Sequence, residues 1–483
     1  MPESLKNRTI KGVIWSAIDR FSALGIQMIC SLIIAHLLTP KDFGILGMIT
    51  VFSAIGMVIV DSGFGSALIR RNNVTSVDYS SVFYFNVFLS IICYIALYFL
   101  SPSIARFYDI EELTYICRVT FLILPINALG LIQNTRLLKS IDFKTIAITS
   151  LFSALLSGLI GIVLAYYIRN VWALVIQNMS MYGFRTLLLW CVGHWKPQLV
   201  FSVSSIHSMW GYSINLLGFG LISSLTQNIY PLIIGKFYSA TQLGFYSQAD
   251  RLQKLPATSI TEVIQRVCFP VLSEIREDLL RMREAYRRII MVAFFIVFPV
   301  MLLLIGIADE MIVLLLGKQW TQSIQYFKIL CIVGALYPLH SINLNILNVV
   351  GKSRLSLNLE ILRKLILATI LIFVVKYDMI VLVWGQVFYG IIVLIINMYY
   401  SGKEISYGIQ QQFKDILPTV IIAVVALGLV FLLSHIIHNK DGLLILIKSF
   451  IYIVSFFALN KIFKTQSLKF TTPIIINLLK QLR

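Results

Sequence analysis

Ser247, Arg251, Lys254, Thr258, Glu262 and Arg266 follow one another at steps of 4, 3, 4, 4 and 4 residues. On a helix with 3.6 residues per turn they form a single stripe. The remaining faces carry Leu252, Leu255, Ile260, Val263, Ile264 and Val267. Arginine offers a phosphate two parallel donors and lysine a compact point charge, so such a stripe suits a phosphate or diphosphate. The bland alternative is an internal salt bridge between Glu262 and Arg266 at i,i+4. That pair leaves Arg251 and Lys254 unmatched by Glu262. A second constellation lies near the N-terminus, where Ser16, Arg20, Ala23, Gln27 and Ser31 share one helical side. Asp19 stands beside Arg20, either to orient it or to neutralise it. Asp61 can pair with Arg70 or Arg71, or titrate during a functional cycle.

The elements that carry these residues are apolar almost end to end. Hydrophobic residues make up 58% of the 483 positions and charged residues 13%. A membrane-crossing helix needs roughly 20 apolar residues. About fourteen such stretches are expected, at 13–37, 43–69, 79–101, 114–137, 145–168, 171–193, 209–235, 243–272, 288–308, 323–349, 357–377, 380–399, 416–438 and 442–463. The class is therefore an all-α polytopic membrane protein. With the N-terminus in the cytoplasm, each outer loop carries a single cation: Lys41, Arg106, Arg169, Lys236, Lys318, Lys376 or Lys440. The inner segments hold clusters such as Arg281, Arg283, Arg287 and Arg288. This asymmetry predicts both termini inside. It also argues that the charged stretch 243–272 crosses, because omitting it would carry Lys352 through Arg483 to the outside. Each central Arg, Lys or Asp costs about 2.5–3.5 kcal/mol on insertion scales. Several left in lipid would cost roughly 10 kcal/mol, so the stripe must face water or partner charges.

The net charge of +18 is no nucleic-acid signal here, since the cations sit at membrane edges where anionic lipid attracts them and no aromatic-basic motif accompanies them. Residues 464–483 read as a basic amphipathic tail, and 273–287 as a short interfacial helix between the eighth and ninth spans. Arg118, Arg185, Lys328 and Lys448 are expected to lie nearer span ends or to snorkel. His340, Asn343 and Asn348 suggest interhelical hydrogen bonds. The six cysteines all fall in expected spans and read as small hydrophobes. Pro125, Pro231, Pro256, Pro270, Pro299 and Pro338 should interrupt spans, and Gly63 and Gly65 allow bending. No metal-ligand spacing, nucleophile triad or P-loop is present: Ile346 stands where the first P-loop glycine before Gly351-Lys352-Ser353 belongs.

The chain also repeats. IAHLLTPKDFGILG at 34–47 aligns with IGKFYSATQLGFYS at 234–247, pairing Gly44 with Gly244 at an offset of 200. Both link an odd span to an even one on the outer side. The expected organisation is a six-helix bundle over 1–208, a second over 209–400, and an added helix pair with a basic tail over 401–483. Internal repeats of this kind are a transporter signature.

The segments LLTPKDFGILGM (37–48), DSGFGSALIRR (61–71), IIGKFYSATQLGFYSQADRL (233–252), GKQWTQSIQYFKIL (317–330) and GKSRLSL (351–357) resemble the polysaccharide transporter (Wzx-type, WzxC-like) family of the multidrug/oligosaccharidyl-lipid/polysaccharide (MOP) exporter superfamily. The resemblance implies a V-shaped pair of pseudo-symmetric six-helix bundles in the bacterial cytoplasmic (inner) membrane. It implies a flippase that carries undecaprenyl-diphosphate-linked oligosaccharide from the inner to the outer leaflet. The product would serve lipopolysaccharide O-antigen, capsule or exopolysaccharide assembly. The implied partners are the lipid-linked oligosaccharide, membrane lipids, and a polysaccharide polymerase and glycosyltransferases, with no nucleic acid. By likeness to lipid II flippases, Arg20, Arg251 and Lys254 would contact the diphosphate, and Arg266 extends that stripe. Asp19, Asp61 and Glu262 are candidates for coupling or orientation. No cofactor is expected, and proton or sodium coupling is left open. The competing classes are a multidrug exporter of the same superfamily, whose cavity should favour carboxylates, and a membrane-embedded polymerase, which should carry a large outer loop.

Overall fold

The computed structural model describes the backbone of residues 5–193, 195–275, 277–434 and 442–481; side chains at 5–14, 16–18, 20, 266, 267, 269–271, 353, 433, 434 and 474–481 are not among the described ones. The chain divides into two compact units, Met1–Gly244 and Phe245–Arg483.

The first unit contains α1 (Leu5–Leu37), α2 (Pro40–Asp61), α3 (Phe64–Arg70), α4 (Ser76–Tyr108), α5 (Leu113–Thr120), α6 (Ile123–Lys139), α7 (Phe143–Ile168), α8 (Val171–Val192), α9 (Val203–Gln227), α10 (Ile229–Phe237) and the first turn of α11 (Ala240–Glu274). Short polar side chains start these helices by accepting orphan backbone N–H groups. Thr75 takes the N–H of Asp78, Asp142 that of Thr145, Asn170 that of Trp172 and Ser202 that of Ser205. Proline decides two of the breaks, because its ring clashes with the carbonyl four residues earlier. Pro125 follows the gap between α5 and α6, and Pro231 the gap between α9 and α10. The latter pair is bent by 45°. Pro256, Pro299 and Pro338, by contrast, lie inside unbroken helices.

Apolar contacts among the described residues include two clusters in this unit. Phe64, Leu68, Val82, Ile132 and Trp195 form one, and Val60, Ile123, Leu124 and Ala128 the other. The outward face of α4 is equally apolar: Phe88, Ile92, Ile95 and Phe99 are all exposed. Such a surface has no aqueous rationale and fits contact with lipid.

The second unit holds the rest of α11, then α12 (Leu279–Gly306), α13 (Ala308–Leu316), α14 (Ser323–Val349), α15 (Ser353–Val374), α16 (Met379–Ile405), α17 (Ile409–Ser434), α18 (Gly442–Ile462) and α19 (Gln466–Gln481). Its largest cluster gathers Met282, Tyr286, Ile290, Phe294, Leu339, Ile346 and Met398 from α12, α14 and α16. Asn343, fully buried, accepts the Ser401 hydroxyl and so ties α14 to α16, as the polar content of that span suggested.

A helix or a broken helix pair lies at each of the fourteen expected stretches. Among the described residues nine spans are long and apolar enough to cross a membrane, or ten if α9 and α10 count as one. α8, α11 and α15 fall outside that set because polar and charged residues interrupt them, as Arg354, Glu360, Arg363 and Lys364 do in α15, whereas the described part of α1, Phe21–Leu37, is apolar but shorter. One expectation needs correction. The segment 273–287 is no separate interfacial helix: α11 runs to Glu274 and α12 starts at Leu279. Asp278 caps the new helix by accepting the Arg281 N–H, so the charged segment becomes the first turns of a long span.

The repeated turn recurs in helix limits. α1 ends at Leu37 and α10 at Phe237, while α2 begins at Pro40 and α11 at Ala240. Within the first unit these two helix starts cross reciprocally. A Cβ on Gly44 would overlap the carbonyl oxygen of Ala240, and one on Gly244 would overlap that of Pro40. Only glycine lets two backbones approach so closely.

Candidate functional site

α11 keeps its stripe on one side. Leu252, Gln253, Ala257 and Thr261 are buried, whereas Arg251 and Lys254 are exposed and Ser247, Thr258 and Glu262 are half-buried. The buried side is fastened by neighbours in its own unit: Gln265 donates to the Ser341 hydroxyl, and Gln386 donates to Tyr246 Oη at 2.6 Å. The polar edge lies on a different side of α11 from these contacts. Spacing overlooked one partner. Lys254 Nζ reaches Asp250 Oδ2 at 2.5 Å across one helical turn. Its charge is therefore already balanced in part. Arg266 lies on α11 near its end, but its side chain is outside the described residues.

In the first unit Arg20 lies on α1, and its side chain too is outside the described residues. Asp19 is half-buried, and its Oδ1 has no hydrogen-bond partner among them. Further along α1, Gln27 Nε2 contacts Met181 Sδ at 3.4 Å. Asp61 is the last residue of α2. Behind it Ser62 and Gly63 take left-handed φ values of 49° and 73°, which breaks the span before α3. A side chain at Gly63 would press within 2.8 Å of Leu216 Cβ, so the glycine answers both the turn and the approach of α9. Neither expected cation joins Asp61. Arg70 lies 4.9 Å over the Tyr212 ring, and Arg71 pairs with Asp78 at 3.4 Å.

The cations expected near span ends or snorkelling each have a partner, Arg185 donating to Asn134 Oδ1 at 3.4 Å. Arg118 sits 4.3 Å over the Tyr98 ring, Lys328 binds Asp309 at 2.7 Å, and Lys448 binds Glu310 at 2.6 Å with its side chain only 8% exposed. Of the six cysteines, none is in a disulfide, and Cys191 is exposed where a buried position was expected. Among the described residues no three His, Cys, Asp or Glu side chains converge as metal ligands.

A polysaccharide biosynthesis protein model matches residues 33–325, well over half the chain and including both repeated turns and the whole α11 stripe. The chain belongs to the polysaccharide biosynthesis protein family. Among relatives within and around that family, it is 25% identical over 355 residues to the teichuronic acid biosynthesis protein TuaB of Bacillus subtilis, covering 73% of this chain and 74% of the relative. It is 24% identical over 335 residues to the lipopolysaccharide biosynthesis protein WzxC of Escherichia coli, covering 69% and 68%. The resemblance to the WzxC-like family read from the segments at 37–48, 61–71, 233–252, 317–330 and 351–357 therefore holds. In fold, the chain is similar to the lipid II flippase MurJ in its inward closed conformation, with a TM-score of 0.77 at 15% identity over 93% of this chain and 98% of that one.

Proposed function

We propose that this family member is a flippase. It carries undecaprenyl-diphosphate-linked oligosaccharide from the inner to the outer leaflet of the bacterial cytoplasmic membrane, with both termini in the cytoplasm. The observation that carries the reading is the edge of α11. Along one side of this long helix in a membrane protein run Arg251, Lys254, Thr258 and Glu262, polar groups that lipid would penalise. A water-filled path for a diphosphate and its sugars removes that penalty. Sugar hydroxyls moved through hydrocarbon without partners would cost a few kcal/mol each. Relatives that serve teichuronic acid and lipopolysaccharide synthesis, and the fold shared with a lipid II flippase, support the same substrate class.

In this reading Arg20, Arg251, Lys254 and Arg266 receive the diphosphate, while Asp19, Asp61 and Glu262 orient those cations or exchange protons or sodium. Residues 1–208 and 209–400 move as the two repeats, and 401–483 forms the added pair. An inside-negative potential favours outward movement of anionic charge by about 2.3 kcal/mol per charge per 100 mV. No chemical bond changes, so the chain works as a transporter beside the glycosyltransferases and polymerase that make and extend the glycan.

Complementation tests this. A flippase-deficient bacterium that makes a matching lipid-linked glycan is given wild type, Arg20→Ala or Arg251→Ala at equal membrane levels. Surface glycan should return with wild type and fail with both variants. Return with all three would remove the site assignment and leave the flippase reading. Failure of wild type across several matched glycans would favour a multidrug exporter.

A further inference from the structure

The starts of α12 and α17 change from charged to apolar within a few residues, Arg287-Arg288 giving way to Ile289 and Lys414-Asp415 to Ile416. In membrane spans such a change marks the level of the lipid headgroups. There, wholly within the second unit, α12, α17 and the first turn of α19 enclose a cavity of about 690 Å³. That size lies inside the ~300–1,000 Å³ typical of small-molecule sites.

The carboxylates of its wall are already committed. Asp415 accepts Arg287 Nε and Nη2 at 2.6 Å each and the Tyr407 hydroxyl at 2.6 Å. Arg287 Nη2 also donates to Gln466 Oε1 at 3.0 Å. Glu284 is paired with Arg288 at 2.7 Å. The cations are not matched in the same way. Arg283 donates to the neutral Gln411 Oε1 at 3.1 Å, and Lys414 is exposed with no ion pair among the described residues. The cavity therefore offers spare donors and no spare acceptor charge. Leu280, Met291 and Pro418 add an apolar wall on the same cavity.

We propose that this cavity binds the phosphodiester of an anionic phospholipid, with Arg283 and Lys414 as its donors and an acyl chain leaving along Met291 and Pro418. Arginine and lysine together supply a fork and a point charge to phosphate oxygens. Two unmatched cations suit one phosphodiester with its glycerol, whose hydroxyls meet the amides of Gln411 and Gln466. Basic pockets between spans are where anionic headgroups lodge. Assignment to the inner leaflet rests on the orientation proposed above. The site itself does not, because it is independent of the α11 stripe.

The test uses the full chain in phosphatidylcholine nanodiscs containing phosphatidylglycerol, with bound lipid counted by native mass spectrometry. Wild type should retain phosphatidylglycerol over phosphatidylcholine. The double variant Arg283→Gln/Lys414→Gln should weaken retention at least about tenfold, the equivalent of 1.4 kcal/mol. Lys376→Gln, in a loop outside the cavity, serves as the control and should behave as wild type. Equal retention by the double variant would overturn the proposal. So would displacement from wild type by inorganic phosphate as effectively as by phosphatidylglycerol, or stronger retention of undecaprenyl diphosphate at the same residues. A charge reversal, Lys414→Asp, guards against a folding defect: on exposed Lys414 it should leave the melting temperature near wild type and still abolish retention. None of these readouts involves transport, so failure here leaves the flippase reading untouched.

Discussion

Lys448→Met isolates the worth of a buried ion pair. Lys448 projects from α18 and meets Glu310 of α13 at 2.6 Å, with side-chain exposures of 8% and 18%. Lys448 also reaches the Gly306 carbonyl at 3.5 Å. At an effective dielectric near 20, the attraction at this separation is about 6 kcal/mol before desolvation is subtracted. Methionine matches the lysine stem in size and removes only the charge. The variant strands the Glu310 carboxylate, whose Oε2 already has no hydrogen-bond partner among the described residues. Breaking one side of a buried pair typically costs about 3–5 kcal/mol, whereas replacing both partners with apolar groups is close to neutral. The expected outcome is a melting temperature lowered by about 3–5 °C in Lys448→Met. Most of it should be recovered in Lys448→Met/Glu310→Leu. Thermal unfolding of purified protein in detergent reads both, and the double-mutant cycle gives the coupling. A single variant that melts with wild type, or a double variant lower than the single, would refute the reasoning.

Two further outcomes follow from contacts described above. Gly44→Ala and Gly244→Ala each force a methyl into a backbone carbonyl, so each should destabilise by about 1–3 kcal/mol or more; folded yield and melting temperature check this, and wild-type values for either would deny the close crossing. Arg287→Lys exchanges a two-pronged contact to Asp415 for a single charge, with an expected loss of about 1–2 kcal/mol that Asp415→Glu should not restore; a melting curve unchanged by Arg287→Lys would mean the fork is not the source of the pair's strength.

What the sequence made legible was governed by local rules. Hydrophobic runs located a helix or broken helix pair at each of the fourteen expected stretches but not α13, which lies between two of them, and the turn at 34–47 and 234–247 located helix ends at the same offset. The stripe on α11 followed from the 3.6-residue period alone. What escaped was tertiary pairing. Lys448 and Glu310 are 138 positions apart, and Arg287 and Asp415 are 128 apart, so nothing in their neighbourhoods announces the partner. Lys448 was expected to lie near a span end or to snorkel, yet α13 folds back to meet it. Asp250 was a different kind of omission. It lies on the same helix as Lys254 at i,i+4, and a full inventory of such pairs would have found it. The interfacial helix expected at 273–287 failed because amphipathic composition cannot distinguish a separate element from the charged start of a long one. The cap at Asp278 decides between them.

The crossing at Gly44 and Gly244 also bears on how the protein is made. The first compact unit extends to Gly244, so its final contact waits for Ala240 and Gly244, synthesised long after the Gly44 and Pro40 that they meet. By then α1 to α10 have left the ribosome, and loop closure over so long a stretch is a slow, late event. The first turn of α11 therefore acts as a clasp delivered last. A chain halted before it carries all the spans of its first unit and still lacks the piece that fastens them.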